Sequence, residues 1–219
     1  MERRLIRCIL PHDRHVVIID GCVTGSHLEP PPLPEATVEL ISAAGATQLL
    51  TLSQLGETMG FEFSPRLVFL HERDLREWLL ASIDREEFKC SRDIGLDHLI
   101  NEGRLIDSLS VRFVSAIIGH GLFITRNASV SEFIGEYTGL VTSSTSQDPR
   151  SSEGTAYSVE YPSMTGGYAI NARDHGNLMR FINHSSCPNA RFICVSHEDG
   201  LVHVVCVSIV SWLLHLISR

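Results

Sequence analysis

Paired cysteines are missing from the 219-residue chain. Six cysteines occur, at positions 8, 22, 90, 187, 194 and 206. No two form a Cys-x-x-Cys pair, and their spacings match no structural zinc site. Scattered thiols of this kind fit a reducing, intracellular setting better than a disulfide framework. Positive charge is scarce as well: 18 lysines and arginines face 26 acids, a net charge of −8. A general nucleic-acid binder needs clustered cations to displace counterions from phosphates, so no direct nucleic-acid partner is expected. An acidic surface suits basic partners instead. A leader-like apolar run is also absent, because Pro11 ends the stretch Cys8-Ile9-Leu10 that follows Arg3, Arg4 and Arg7. That run is too short for a secretory signal, although export by another route stays open. Near the other end, Leu201 to Ile217 holds 17 residues without formal charge, the lower limit for a membrane span. Its first half is crowded with Val202, Val204, Val205, Val207, Ile209 and Val210, which predicts a buried strand and no membrane partner.

The first hundred residues read as mixed helix and strand. Val16 to Ile19 predicts a short strand closed by a turn at Asp20-Gly21. Gly21 and Gly25 resemble a phosphate loop only faintly, and the run Pro30-Pro31-Pro32-Leu33-Pro34 cannot open the helix such a loop needs. It reads as a stiff connector. Leu67, Leu70, Leu75, Trp78, Leu79 and Ile83 fall on one face with charged residues between them, predicting an amphipathic helix that packs against the rest or meets a partner. A second short helix is expected over Leu96 to Ile106. His12, His15, Cys22 and His27 are too irregularly spaced for a metal site and read as surface residues. From Val111 the pattern changes to short strands: 111–114, 122–124, 133–134, 157–161, 168–170 and 192–195. Thr142 to Gly154, rich in Ser, Thr, Asp and Pro, predicts a loop. The boundary falls near residue 108.

Four motifs lie in the second half. Gly119-His120-Gly121-Leu122-Phe123 comes first, then Gly135-Glu136-Tyr137-Thr138-Gly139, then Tyr168-Ala169-Ile170-Asn171-Ala172. The fourth is Arg180-Phe181-Ile182-Asn183-His184-Ser185-Ser186-Cys187-Pro188-Asn189. In order and approximate spacing they resemble the SET-domain protein lysine methyltransferases, whose signature runs Arg-Phe-x-Asn-His-Ser-Cys-x-Pro-Asn. The resemblance covers Val111 to Ile209 and is to compact members without zinc-cluster cysteines. It implies an α+β fold: a β-rich SET domain of small curved sheets over 108–210, an α/β N-terminal region over 1–107, and an atypical apolar tail over 211–219.

The resemblance also implies a function, S-adenosylmethionine-dependent methylation of a protein lysine, on a histone or histone-like chain with a basic, lysine-bearing tail. Gly119, His120 and Gly121 match the loop that closes over the cofactor. Asn183 and His184 match the pair that holds its two ends, and Arg180 and Tyr157 match further cofactor contacts. Tyr137 matches a tyrosine of the lysine channel, and no metal takes part. The chemistry suits an enclosed site. Deprotonating a lysine of pKa about 10.4 at pH 7 costs about 4 to 5 kcal/mol, and burial beside a sulfonium lowers that cost. Location in the cytoplasm or nucleus follows.

Some positions depart from the pattern. Ser186 holds the usual cysteine position and Cys187 the variable one, and Asn171 stands where aspartate is common. The family continues with a Gly-Glu-Glu-Leu-Thr-x-Asp-Tyr segment that threads against the Asn-His-Ser loop and brings a catalytic tyrosine. Here Ser208-Ile209 is followed by Val210-Ser211-Trp212-Leu213-Leu214-His215-Leu216-Ile217-Ser218-Arg219, with no tyrosine after Tyr168. This reads as a truncated or replaced end, with an incomplete pseudoknot. The alternative function is therefore an inactive SET remnant that serves as a binding module. A thiol nucleophile at Cys187 with His184 as base is disfavoured, because no orienting partner can be assigned.

Overall fold

A computed structural model describes residues 5–9, 15–19, 36–69, 88–143, 155–161, 167–197, 201–210 and 217–218. Two strands, β1 (Leu5–Ile9) and β2 (His15–Ile19), form an antiparallel pair at the start. Next come β3 (Thr37–Ile41) and β4 (Thr47–Thr51), a hairpin whose Val38 and Leu40 turn inward at strand period. Helix α1 (Leu52–Met59) starts where Thr51 and Gln54 cap each other: Gln54 N donates to Thr51 Oγ1 at 3.2 Å and Thr51 N to Gln54 Oε1 at 2.9 Å. This reciprocal bond satisfies two amide donors that a helix start otherwise leaves open. Leu52 and Leu55 then fall on the core side.

Three short strands follow, β5 (Glu62–Phe63), β6 (Val68–Phe69) and β7 (Lys89–Cys90), and then a one-turn helix, α2 (Asp97–Asn101). The stripe expected to be helical from Leu67 thus begins as strand. Val68 and Phe69 are β-prone and pair with strands on both sides, which overrides the 3.6-residue period. Its remainder, Leu70 to Ile83, lies outside the described residues, as does the proline run. The helix expected over Leu96 to Ile106 is shorter because Gly103 N and Arg104 N turn back to the carbonyls of Ile100 and Leu99.

The second half supplies β8 (Leu109–Ser115), β9 (Gly119–Ile124), β10 (Phe133–Glu136), β11 (Gly139–Ser143), β12 (Ser158–Tyr161), β13 (Tyr168–Gly176), β14 (Asn183–His184), β15 (Ala190–Ser196), β16 (Val202–Ser208) and β17 (Ile217–Ser218). Two 3-10 turns, Thr155–Tyr157 and Leu178–Phe181, interrupt them. Tyr157 therefore ends a turn instead of opening a strand. β11 carries extended backbone as far as Ser143, into the segment expected to be loop; 144–154 lie outside the described residues.

The architecture is β-rich with few helices, in small curled sheets, as the resemblance implied. One sheet runs β1-β2-β6-β11-β13-β12, with β5 also on β13; a second runs β10-β16-β15-β7, a third β4-β3-β8-β9, and β14 pairs with β17. Strands from before residue 108 enter three of these sheets. Among the described residues, every pairing across residue 108 is parallel: β3 on β8, β5 on β13, β6 on β11 and β7 on β15. The strand expected in the uncharged stretch is β16, buried at every position. No helix among the described residues is long and apolar enough to cross a membrane. The main core joins Leu55, Phe69, Leu122, Ile134, Ile170, Leu178 and Met179 from both halves.

Candidate functional site

The site is assembled around the short helix Leu178–Phe181. Asn177 caps it, accepting from Met179 N at 3.0 Å, while its amide donates to the Glu136 carbonyl at 2.7 Å. One buried side chain thereby ties the signature segment to β10. All four residues of the turn are buried, and the turn packs against β9.

Arg180 leaves this turn with its guanidinium stacked between aromatic rings: Phe61 at 4.0 Å, Tyr157 at 4.4 Å and Phe181 at 5.2 Å from the ring centroids. Its Nη2 donates to the Arg173 carbonyl at 3.0 Å. Its Nε is buried and has no partner among the described residues. Arg180 is only 8% exposed. Burial lowers its pKa, and the nearby Tyr157, Tyr137 and Asp174 work against that shift. A buried cation with a spare donor and no carboxylate paired to it among the described residues is an unfinished electrostatic arrangement.

Tyr137, just after β10, is also buried. Its hydroxyl donates to the Tyr157 carbonyl at 2.6 Å, and its ring stands edge-on to Phe192 at 5.5 Å. Burial pushes its pKa above the ordinary tyrosine value, so the phenol stays protonated at neutral pH and serves as a donor, not a base. Tyr137, Tyr157 and Arg180 thus form one contact chain.

Gly119, His120 and Asn183 form a second chain. Gly119 opens β9 at φ 78°, a conformation that other residues adopt only with strain. His120 places its carbonyl to accept from Asn183 Nδ2 at 3.2 Å, and its ring meets Phe113 edge-on at 5.6 Å. Burial lowers the His120 pKa and keeps the imidazole neutral at physiological pH. Gly121 is buried within the same strand. His184 is exposed next to Asn183, on β14, and Cys187 is exposed three residues on. Asn183 and His184 pair in parallel with Ile217 and Ser218, so the atypical tail returns to the signature strand. Trp212 to Leu216 lie outside the described residues.

Sequence reasoning missed several supporting groups. A 2.6 Å hydrogen bond joins Glu136 Oε1 to His203 Nδ1, both buried. The His203 ring lies edge-on to His197 at 5.1 Å, and His197 Nε2 is 3.0 Å from Asp97 Oδ1. Tyr161 bonds through its hydroxyl to the backbone of Val202. Apart from His197 and His203, these partners are far apart in sequence, and no local pattern joins them. Phe61 and the Thr51–Gln54 cap were missed too, although a Thr-x-x-Gln before an apolar pair is a readable helix start. Among the described residues no cluster of three His, Cys, Asp or Glu groups is arranged to hold a metal ion.

Residues 119–210 match the SET domain family model. Over 93 residues, 42% of this chain, the sequence is 40% identical to histone-lysine N-methyltransferase 2B of Homo sapiens, covering 3% of that protein. Over 106 residues, 48% of the chain, it is 35% identical to histone-lysine N-methyltransferase mes-2 of Caenorhabditis elegans, covering 13% of it. The chain therefore spans a small part of the length of these relatives. In structure it is similar to ATXR5 in complex with a methylated histone H3.1, with a TM-score of 0.57 and 18% identity over 77% of this chain and 84% of that one. That likeness is one of fold.

Proposed function

Because residues 119–210 match the SET domain family model, we propose that the chain binds S-adenosylmethionine and methylates a lysine side chain of a protein, on a basic tail of histone type. The observation that carries this reading is the buried Arg180, with an open Nε and aromatic rings around its guanidinium. The residues present fit such a group. Arg180 offers a donor to a carboxylate, His120 and Asn183 hold the Gly119 segment against the signature strand, and Tyr157 lines the same cage. When bound, the cofactor supplies a methyl group on a sulfonium. The chain's own part is positional. Tyr137 holds its proton against the Tyr157 carbonyl and keeps that wall closed, and an apolar surround lowers the pKa of an entering lysine. The relatives named above are histone-lysine methyltransferases, and an acidic chain of net charge −8 suits a basic substrate and a place inside the cell.

A second reading, binding without transfer, is favoured by the tail. The residues that pair with Asn183 and His184 bring no tyrosine to them, and the Tyr137 hydroxyl is already committed to a carbonyl. Calorimetric titration with S-adenosylmethionine, with an Asn183→Ala, His184→Ala double variant as control, tests the premise of the first reading. Micromolar binding lost in the variant supports it; no binding by the folded chain removes the methyltransferase reading and leaves the inactive module. Transfer of labelled methyl to a histone H3 tail peptide then separates them, with incorporation supporting catalysis and tight binding without incorporation supporting the module.

A further inference from the structure

Phe61 lies outside the segment that matches the SET domain, yet among the described residues its ring is the nearest to Arg180. The sequence Gly56-Glu57-Thr58-Met59-Gly60-Phe61 explains how it gets there. Helix α1 ends at Met59, Gly60 takes φ 76°, and the Phe61 amide returns to the Gly56 carbonyl at 2.9 Å. The return is close: a Cβ on Gly56 would lie 2.6 Å from the Phe61 carbonyl oxygen, so only glycine admits it without displacement. The ring is 7% exposed and packs edge-on against Phe181 at 6.0 Å. Its face lies 4.0 Å from the Arg180 guanidinium carbon, inside cation–π range. Tyr157 covers the guanidinium at 4.4 Å, and the Arg173 carbonyl takes Nη2. These contacts leave Nε as the buried donor still open among the described residues.

We infer that Phe61 is a positioning residue: it fixes the plane of the Arg180 guanidinium so that the open donor is presented to the carboxylate end of S-adenosylmethionine. The inference rests on the cofactor reading above and extends it to a residue supplied by the N-terminal region. A flat ring orients a planar cation without competing for its hydrogen bonds, which an acidic neighbour would do. Replacing it with an aliphatic group of similar bulk keeps the packing and loses the orientation.

The test compares two ligands on the full chain. S-adenosylhomocysteine carries the carboxylate; methylthioadenosine has the same nucleoside and thioether but no amino-acid end. Phe61→Leu is expected to weaken S-adenosylhomocysteine about tenfold, the size of a desolvated cation–π contact, and to leave methylthioadenosine unchanged. Phe61→Tyr, which keeps the ring, is expected to restore affinity. A purely structural role would weaken both ligands together, and that result overturns the inference, as does wild-type affinity for both in Phe61→Leu. Should Phe61→Leu not fold, Phe61→Met serves as the aliphatic variant under the same criteria. If the wild-type chain binds neither ligand, the cofactor reading fails and takes this one with it; if wild type binds and Phe61→Leu is indistinguishable from it, only this one fails.

Discussion

Around Arg126, on the surface ahead of β10, every guanidinium nitrogen has a partner. Nε meets Asp107 at 3.1 Å, Nη2 meets Glu132 at 2.6 Å, and Nη1 donates to the Asn127 carbonyl at 2.7 Å. The Glu132 bond leads in raising its pKa. Around Arg180 nearly everything is reversed: aromatic faces replace carboxylates, burial replaces water, the pKa falls, and one donor stays open. Water and salt can repair the first arrangement if one partner leaves. Nothing among the described residues repairs the second, and the proposed cofactor contact rests on that difference.

The difference can be broken from several sides. The largest effect is expected where a buried charge loses the partner it already has: His203→Leu strands the Glu136 carboxylate and should cost about 3 to 5 kcal/mol. Urea unfolding measures the loss, and adding Glu136→Gln should recover part of it. Arg180→Met should do the opposite. It removes a desolvated cation, so the melting temperature should hold or rise, while S-adenosylmethionine affinity falls about 10- to 100-fold by calorimetry. A large drop in melting temperature would make Arg180 a structural residue instead.

Tyr137→Phe removes one hydrogen bond and should cost about 1 kcal/mol at neutral pH. Its pH signature is more specific. The folded pKa lies above the unfolded value of about 10, so stability is full below pH 10 and declines as pH climbs toward the folded pKa. Tyr137→Phe should flatten that alkaline decline in denaturation curves taken at successive pH values. Arg126→Met should matter least, about 1 kcal/mol or less at low salt and nothing measurable at high salt, with cofactor affinity unchanged.

How much of this was legible depended on the distance over which each group acts. Arg180, Asn183, His184, Gly119 and Tyr137 stand in contiguous motifs, so a single reading of the chain selects them, and β16 announced itself by its β-branched residues. The aromatic cage was not legible. Phe61 reaches Arg180 through a glycine-permitted turn after α1, and nothing in the spelling of either segment points to the other. Glu136 and His203 are separated by 67 residues and become partners only because β10 and β16 pair. The stripe starting at Leu67 misled for a related reason: its apolar spacing fits a helix, and only the strand partners of Val68 and Phe69 decide otherwise at its start. The tail's return to Asn183 and His184 was hidden too, since backbone pairing leaves no mark on side-chain chemistry.

The parallel pairings across residue 108 have a kinetic consequence. An antiparallel pair can zip from a tight turn, whereas a parallel pair has to close a long loop before its first hydrogen bond forms. Leu40 waits for Val111, Phe63 for Gly176, Val68 for Leu140 and Cys90 for Ser196. On a ribosome the early strands emerge long before their partners exist, with their edges unpaired. Folding of this chain should accordingly be slow and prone to edge-to-edge misassembly, with the early strands as the segments a chaperone would need to shield.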